Sequence, residues 1–580
     1  MQEQGAWLPL YSCHVIRDAP FSHANAPEVP VSTVKLYGRA LLTSSLYNRG
    51  VAFTHDERER FGLVGKLPPA VLSLEEQAKR AYAQLQRHPT DLAKNIDLEQ
   101  LHDRNEILYY KVLTSHLTEL LPIIYAPTVG EVIKAYSHEY RRPRGIYLSI
   151  DRPQDIRPAF ESWDNDNGAV DIVVATDAEA LLGIGDWGVG GMAISCAKLS
   201  VYTAAGGIHP GRVIPVMIDV GTDNETLLND PWYVGNRHHR VRGDAYDAFI
   251  EEYVHTVTEL FPHALLHWED FGPANARAII EKYGDRICTF NDDMQGTGAV
   301  ALAALMNAVA VTVERLKDQR IVIYGAGTAG IGIADQLRDA MVHSGATREE
   351  ASRAFWCIDR EGLLLSSMDN LRSFQRGYAR PVEDVADWGS GDYGLAEVVR
   401  HVHPTVLIGT STHTGAFTEQ IVREMSSHVD RPIIFPMSNP TEKLEARPED
   451  LLEWSNGRAL IATGLPFDPI DYNGISYVIA QANNALLFPG LGLGVSVVQA
   501  RLITDGMFSA AAYAIATQVS MSHYGAPLLP AVANLRHTSE EVGIAVAEQA
   551  VRDGVATREV EDIPAAVRES MWEPQYPDLS

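Results

Sequence analysis

The chain has 580 residues, 46% of them hydrophobic, and a formal net charge of -27. Single domains usually run to about 100–200 residues, so several domains with separate cores are expected. The acidic balance excludes nucleic acid and an anionic membrane surface as main partners, since both call for basic patches; it leaves small anionic substrates open, because a local site can be positive.

The opening MQEQGAWLPLYSCHVIRDAP lacks a basic start followed by an apolar run, so no secretory signal is expected. Residues 1–50 are rich in Pro, His and Asn and read as irregular. From Ser73, a helix cap followed by Glu75 and Glu76, apolar residues recur at three- and four-residue spacing through LEEQAKRAYAQLQ and LEQLHDRNEILYYKVLTSHLTELL. Short β-like runs at Gly145–Ile150, Asp171–Ala175 and Val213–Val220 then alternate with helical stretches at Met192–Thr203 and Asp244–Leu260, which is α/β organisation. Ala299–Val313 is the longest apolar stretch; it falls short of a membrane span, contains Asn307 and reads as a buried helix.

Beyond it a new series begins: RIVIYGAGTAG, AFWCIDR, PTVLIGTST, RPIIFPMSNP and GRALIAT, strands alternating with helices, predict a parallel doubly wound sheet. From Gly490 the chain is Ala-rich and helical. The division is therefore an irregular N-terminus and helical region at 1–100, an α/β region at 101–288, a Rossmann-type domain with C-terminal helices at 289–550, and a tail at 551–580. The cysteines, Cys13, Cys196, Cys288 and Cys357, form no CxxC pair. A disulfide framework or zinc site is not expected, and a reducing, cytoplasmic setting fits.

Two groups of residues carry chemistry. Ile321–Tyr324 is a β-branched run followed by Gly325, Gly327 and Gly330 and a helical stretch, the G-x-G-x-x-G pattern in its strand–turn–helix context. Gly325 suits the tight turn, Gly327 the approach of a pyrophosphate and Gly330 close helix–strand packing. A glycine turn in a domain that binds no nucleotide is the weaker alternative. Asp359, ending the next strand, can bond a ribose 2′-hydroxyl and favours NAD, although the spacing exceeds the usual distance of about 20 residues. Arg360 beside it could pair with a 2′-phosphate instead. The second group is two acidic clusters in apolar surroundings, His267-Trp-Glu-Asp-Phe-Gly and Phe290-Asn-Asp-Asp-Met-Gln-Gly-Thr. Adjacent carboxylates with oxygen-only ligands suit Mg2+ or Mn2+. On residue chemistry alone, solvated loop acids or helix caps are an equal reading.

Tyr125-Ala-Pro-Thr-Val-Gly, Thr176-Asp-Ala-Glu-Ala-Leu-Leu-Gly-Ile-Gly-Asp-Trp-Gly, Lys198-Leu-Ser-Val-Tyr-Thr-Ala, both acidic clusters and Ser438-Asn-Pro-Thr occur in the order in which the malic enzyme family carries them, and from about Asn48 to the C-terminal helices the chain resembles that family. The resemblance implies that 101–288 is the substrate domain and that Glu269, Asp270 and Asp293 ligate Mn2+ or Mg2+. It implies Lys198 as general base, Tyr125 as general acid, and Asp292 as the carboxylate beside the lysine. Asn439, Asn483 and Asn484 would line the malate and nicotinamide pocket, and the chain would form a homodimer or homotetramer. The chemistry is coherent with NAD-dependent oxidation and decarboxylation of L-malate. A cation acidifies the C2 hydroxyl, a neutral Lys198 takes its proton, hydride leaves C2, CO2 leaves, and Tyr125 protonates C3 to give pyruvate. Lys198 on a helix and Tyr125 beside Pro127 would otherwise read as a surface charge and a packing residue.

One position departs from the pattern: most malic enzymes carry an arginine for a malate carboxylate where this chain has Ala180, and Arg237 is the expected substitute. The Asp-Ala-Glu form, Gly185-Asp-Trp-Gly, Gly235-Asn-Arg-His and His267-Trp-Glu-Asp-Phe-Gly also resemble malolactic enzymes, which release lactate and retain NAD. Arg141-Arg-Pro-Arg-Gly and Met571-Trp-Glu-Pro-Gln-Tyr resemble bacterial NAD-type malic enzymes. Pyruvate is the expected product and lactate the alternative; a nicotinamide-nucleotide sensor without turnover is a third reading, motivated by Ala180. His401 and His403 read as structural, and the Arg237–Arg240 run as a solvated or substrate-rim loop rather than a metal or anion site.

Overall fold

The computed structural model describes residues 36–163, 169–312, 314–389, 393–439 and 441–579. Cys13 and most of the expected irregular N-terminus lie outside them. The first layer is helical: Leu74–Leu85, Asp91–Arg104, Glu106–Ser115, Leu117–Ile124 and Thr128–Glu139. Ser73 caps the first of these in a capping box, its Oγ accepting from Glu76 N at 3.2 Å and its N donating to Glu76 Oε2 at 2.8 Å.

The chain then builds a five-stranded parallel sheet from β1 (Ile146–Ser149), β2 (Ile172–Thr176), β3 (Val213–Asp219), β4 (Leu265–Trp268) and β5 (Thr289–Asn291) in the order β1-β3-β2-β4-β5. Strands β2 to β5 are buried at every residue, which explains why β2 and β3 read as largely continuous apolar runs rather than alternations. Because β2, β4 and β5 are parallel neighbours, their carboxyl ends share one edge, and Asp177, Glu269-Asp270 and Asp292-Asp293 all leave that edge.

A second sheet follows: β6 (Ile321–Tyr324), β7 (Phe355–Asp359), β8 (Gly362–Leu363), β9 (Val406–Gly409), β10 (Ile433–Pro436) and β11 (Leu460–Thr463). After a separate antiparallel hairpin of β12 (Ile470–Tyr472) and β13 (Ile475–Tyr477), β14 (Ala480–Gln481) closes it in the order β14-β11-β10-β9-β6-β7-β8. Only β8 runs antiparallel to its neighbour. The order reverses between β6 and β9, the switch point at which α/β sheets of this kind bind ligands.

Helix Leu535–Arg552 packs on both Phe488–Val498 and Asp505–Ala516, and it and Phe488–Val498 also pack on Met192–Gly206 beneath the first sheet, so one hydrophobic core joins the two sheets. The predicted apolar helix spans Thr297–Thr312. Together with the turn before it, Asp292–Thr312, it is long and apolar enough to cross a membrane, contrary to the sequence expectation, but 72% of its most apolar window is buried inside the protein, as in a core helix.

Candidate active site

The acidic clusters converge at the shared carboxyl edge of the first sheet. Between β5 and the helix Thr297–Thr312, residues Asp292–Gly296 form a wide π-helical turn, a feature frequent at functional sites. Asn291 Oδ1 accepts from Met294 N at 3.0 Å and fixes its start. Asp270 has φ 57°, in the left-handed region, which aims its backbone N at Asp293 Oδ2, 2.8 Å away. Its Oδ1 accepts from Leu182 N at 3.1 Å, while Oδ2 is buried without a partner. Glu269, Asp270 and Asp293 each offer an oxygen, all within 4.8 Å of one another.

Such crowding is costly. Burial, with the neighbouring Glu269 and Asp292 charges, pushes Asp293 up to about 8. Burial pushes Glu269 up to about 7 against the opposing pull of Lys198, and burial with the Asp293 and Glu269 charges lifts Asp270 well above the carboxylate range. Two buried carboxylates and the half-buried Asp293, with an orphaned oxygen on Asp270, fit a hard divalent cation, which would remove the repulsion that the protein alone leaves uncompensated.

Lys198 comes from the apolar helix Met192–Gly206 with 1% of its side chain exposed. Its Nζ is 3.0 Å from Glu269 Oε1 and forms an ion pair with Asp292 Oδ2. It stands 4.5 Å from the centroid of the Phe488 ring and 5.2 Å from that of Tyr125. Burial pulls its pKa down, but the Asp292 and Glu269 carboxylates outweigh it and hold the ammonium charged. That is the reverse of the expected neutral amine; a cation sharing Glu269 would supply the opposing field. Asp292 is pressed upward by burial but carried below its usual value by Lys198, His267 and a hydrogen bond from Asn484. Asn484 Nδ2 reaches Asp292 Oδ2 at 3.0 Å. Tyr125 caps the helix Leu117–Ile124, and burial raises its phenol above the ordinary tyrosine range, so it stays protonated.

Other predicted residues stand further out. Asn483 Oδ1 accepts from Ala485 N at 2.9 Å and caps a turn. Asn439 is exposed on the loop after β10, across the cleft against Gly183 and Gly464, and does not join the Lys198 group. Arg237 is no substitute for the missing arginine: its guanidinium donates to Pro231 O at 2.9 Å and Tyr233 O at 2.8 Å within its own loop. Arg240, three residues on, is the buried cation, lying 3.2 Å from Asp177, 3.5 Å from Asp186 and 3.7 Å from Glu179. It braces the loop whose Ala180 N donates to Asp270 O at 3.0 Å. His267 and Tyr202 were not anticipated: His267 bonds Glu269 Oε2 through Nε2 and Tyr202 OH through Nδ1, both at 2.8 Å. The one sequence signal was a lone histidine inside the apolar strand Leu265-Leu-His-Trp. His403, Glu424 and His428 also cluster, but the two rings stack at 3.6 Å between centroids, so their in-plane lone pairs run side by side rather than converging on one ion.

At the second sheet, Gly325 has φ +104°, and a Cβ there would lie 2.5 Å from the Thr410 backbone. A Cβ on Gly330 would lie 2.2 Å from Gly325 O, whereas Gly327 faces open space on the side expected to meet a pyrophosphate. The helices Thr328–His343 and Arg348–Arg353 account for the long spacing to Asp359. Asp359 Oδ2 accepts from Gln375 Nε2 at 2.8 Å, and the same amide donates to Ala326 O at 2.8 Å, tying the acid to the glycine turn.

Comparison with known proteins places this arrangement in a lineage. The family model described as malic enzyme, N-terminal domain, matches residues 102–284, and that described as malic enzyme, NAD binding domain, matches residues 294–551. NAD-dependent malic enzyme 3 of Bacillus subtilis is 58% identical over 93% of this chain and 96% of its own length. A malolactic enzyme of Lactiplantibacillus plantarum is 43% identical over 93% of this chain and 98% of its own. The crystal structure of Entamoeba histolytica malic enzyme shares the fold, with TM-score 0.55 and 22% identity over 88% of this chain and 91% of that one. Matches of this extent, over both halves of the chain, make it a member of the malic enzyme family.

Proposed function

We propose that the chain catalyses the NAD-dependent oxidative decarboxylation of L-malate to pyruvate and CO2, with Mn2+ or Mg2+ at Glu269, Asp270 and Asp293. The observation that carries this reading is the buried Lys198 Nζ lodged between Asp292 and Glu269, with Glu269 shared between the lysine and the three-carboxylate cluster. When bound, the cation supplies polarisation of the substrate oxygens, and NAD supplies the hydride acceptor.

The chain's own groups do the rest. Lys198 Nζ, in its neutral form, accepts the proton of the C2 hydroxyl as hydride leaves C2, and Asp292 stabilises the ammonium formed. Cleavage of the C3–C4 bond releases CO2 and leaves its electron pair on the enolate of pyruvate. Tyr125 delivers the proton to C3 and is reprotonated through Lys198, whose Nζ faces its ring. Asn484 holds Asp292 in register by donating to its side chain and, at 3.2 Å, to its backbone carbonyl. Gly325, Gly327 and Gly330 receive the pyrophosphate, Asp359 the adenosine ribose of NAD, and Asn439, Asn483 and Asn484 line the nicotinamide and malate side. A cytoplasmic homodimer or homotetramer is part of the same reading.

The second reading, malolactic, is kept open by the Asp-Ala-Glu motif; the identities of 58% and 43% favour pyruvate. Incubation with malate, NAD and Mn2+ tests both. NADH stoichiometric with pyruvate supports the proposal, lactate without NADH replaces it with the malolactic reading, and nucleotide binding without turnover replaces it with the sensor.

A further inference from the structure

His267 lies within β4, fully buried, the titratable side chain of a strand enclosed on both faces. A polar group there must be satisfied. Its Nε2 is 2.8 Å from Glu269 Oε2 and its Nδ1 is 2.8 Å from Tyr202 OH. In the ionised form in which it would hold a cation, the Glu269 carboxylate only accepts, so Nε2 carries the proton; Nδ1 is then an acceptor, and the Tyr202 hydroxyl donates to it. One tautomer satisfies both contacts.

The ring is held edge-on by its neighbours, with centroids 4.7 Å from Phe290, 5.8 Å from Tyr202 and 5.9 Å from Phe488. Glu269 is thereby gripped at both oxygens, Oε1 by Lys198 at 3.0 Å and Oε2 by His267. Asp270, by contrast, has a free oxygen. Donor atoms of His267, Glu269 and Asp292 also lie within 4.8 Å of one another, but both imidazole nitrogens are already committed, which leaves no lone pair for an ion.

We propose that His267, braced by Tyr202, is a positioning residue that fixes the Glu269 carboxylate in the orientation in which it serves the divalent cation and Lys198 together. This rests on the reading of Glu269 as a cation ligand. Tyr202 is itself fully buried, so the pair ends in the core and works as a brace rather than as a proton path to solvent.

The test is Mn2+ titration of the full-length protein by electron paramagnetic resonance, alongside thermal melts without metal. Partners one step behind metal ligands change affinity by about 10–100-fold when removed, and His267→Leu is expected to weaken Mn2+ within that range. His267→Gln, which can still donate to Glu269 and accept from Tyr202, should restore most of it. Tyr202→Phe keeps the packing and removes the brace, so it should weaken Mn2+ several-fold alone and add nothing in the His267→Leu background. If His267→Leu does not fold, Tyr202→Phe still decides. A folded His267→Leu or Tyr202→Phe protein that binds Mn2+ as tightly as the parent overturns the proposal, as does directly coordinated nitrogen in the spectrum of the bound ion. Glu269→Gln separates the two levels: if it leaves Mn2+ affinity unchanged, the cation site itself is misassigned.

Discussion

Replacing Lys198 with alanine deletes the ammonium that sits between Asp292 and Glu269. Two consequences follow from the geometry. On the proposed mechanism the substrate hydroxyl loses its proton acceptor, and general-base catalysis is typically worth 10²–10⁴-fold, or about 3–5 kcal/mol of barrier. Asp292 also loses the charge that holds its carboxyl low, so it is left buried beside other carboxylates and takes up a proton. Removing one partner of a buried pair costs about 3–5 kcal/mol of stability, part of which that protonation recovers. The assay separates the steps: malate oxidation, followed as NADH, needs a base at C2, whereas decarboxylation of oxaloacetate starts from a carbonyl and has no hydroxyl proton to remove. The expected outcome for Lys198→Ala is a fall of about a thousandfold in malate oxidation, with oxaloacetate decarboxylation, which draws on Lys198 only to reprotonate Tyr125, reduced less. Equal losses in both reactions, or malate oxidation within a few-fold of the parent, would refute the role.

Further outcomes are open to direct measurement. Asp293 at about 8 and Glu269 at about 7 bind protons in the metal-free protein that a cation must displace, so Mn2+ affinity should rise as pH increases from 6 to 8 with proton release on binding. Because these carboxyl pKa values are raised on folding, the stability they contribute is present at low pH and lost as pH climbs through 7 to 8; the melting gain from Mn2+ should therefore be larger at pH 8 than at pH 6. Gly330→Ala places a Cβ 2.2 Å from Gly325 O and should raise the Kd for NAD at least tenfold, measured by fluorescence, while leaving Mn2+ binding intact. Tyr576 OH accepts from Gln77 at 3.2 Å and Asn105 at 3.0 Å, and Trp572 packs against Tyr110; truncation after Ser570 should lower the melting temperature by several degrees, reflecting a loss of a few kcal/mol.

The sequence was most informative where function is written locally. The glycine turn is a strand, a turn and a helix within ten residues, and Gly325 and Gly330 meet the steric demands that their spacing implied. The adjacent carboxylates were visible as pairs, and parallel strand order explains why two pairs meet. What escaped was long-range: Tyr202 and His267 are 65 positions apart and meet only through helix–sheet packing, and Gln375 reaches the glycine turn from a separate segment. Arg237 looked like the available cation because sequence distance does not reveal burial; Arg240, in the same run, turns inward to three carboxylates, and Arg237 turns to its own loop. Asn483 and Asn484 look equivalent in sequence, yet one caps a turn and the other holds Asp292. The short strands β8, β12, β13 and β14 were missed because two or three residues carry no readable periodicity.

On the proposed reading, Glu269, Asp270 and Asp293 gather one hard cation beside Lys198. Crystals grown with Mn2+ and examined at the manganese absorption edge test it most directly. The expected result is a single anomalous peak at bonding distance from an oxygen of each of the three carboxylates. A peak elsewhere, or none at these residues while malate is turned over in the same Mn2+ solution, would contradict it.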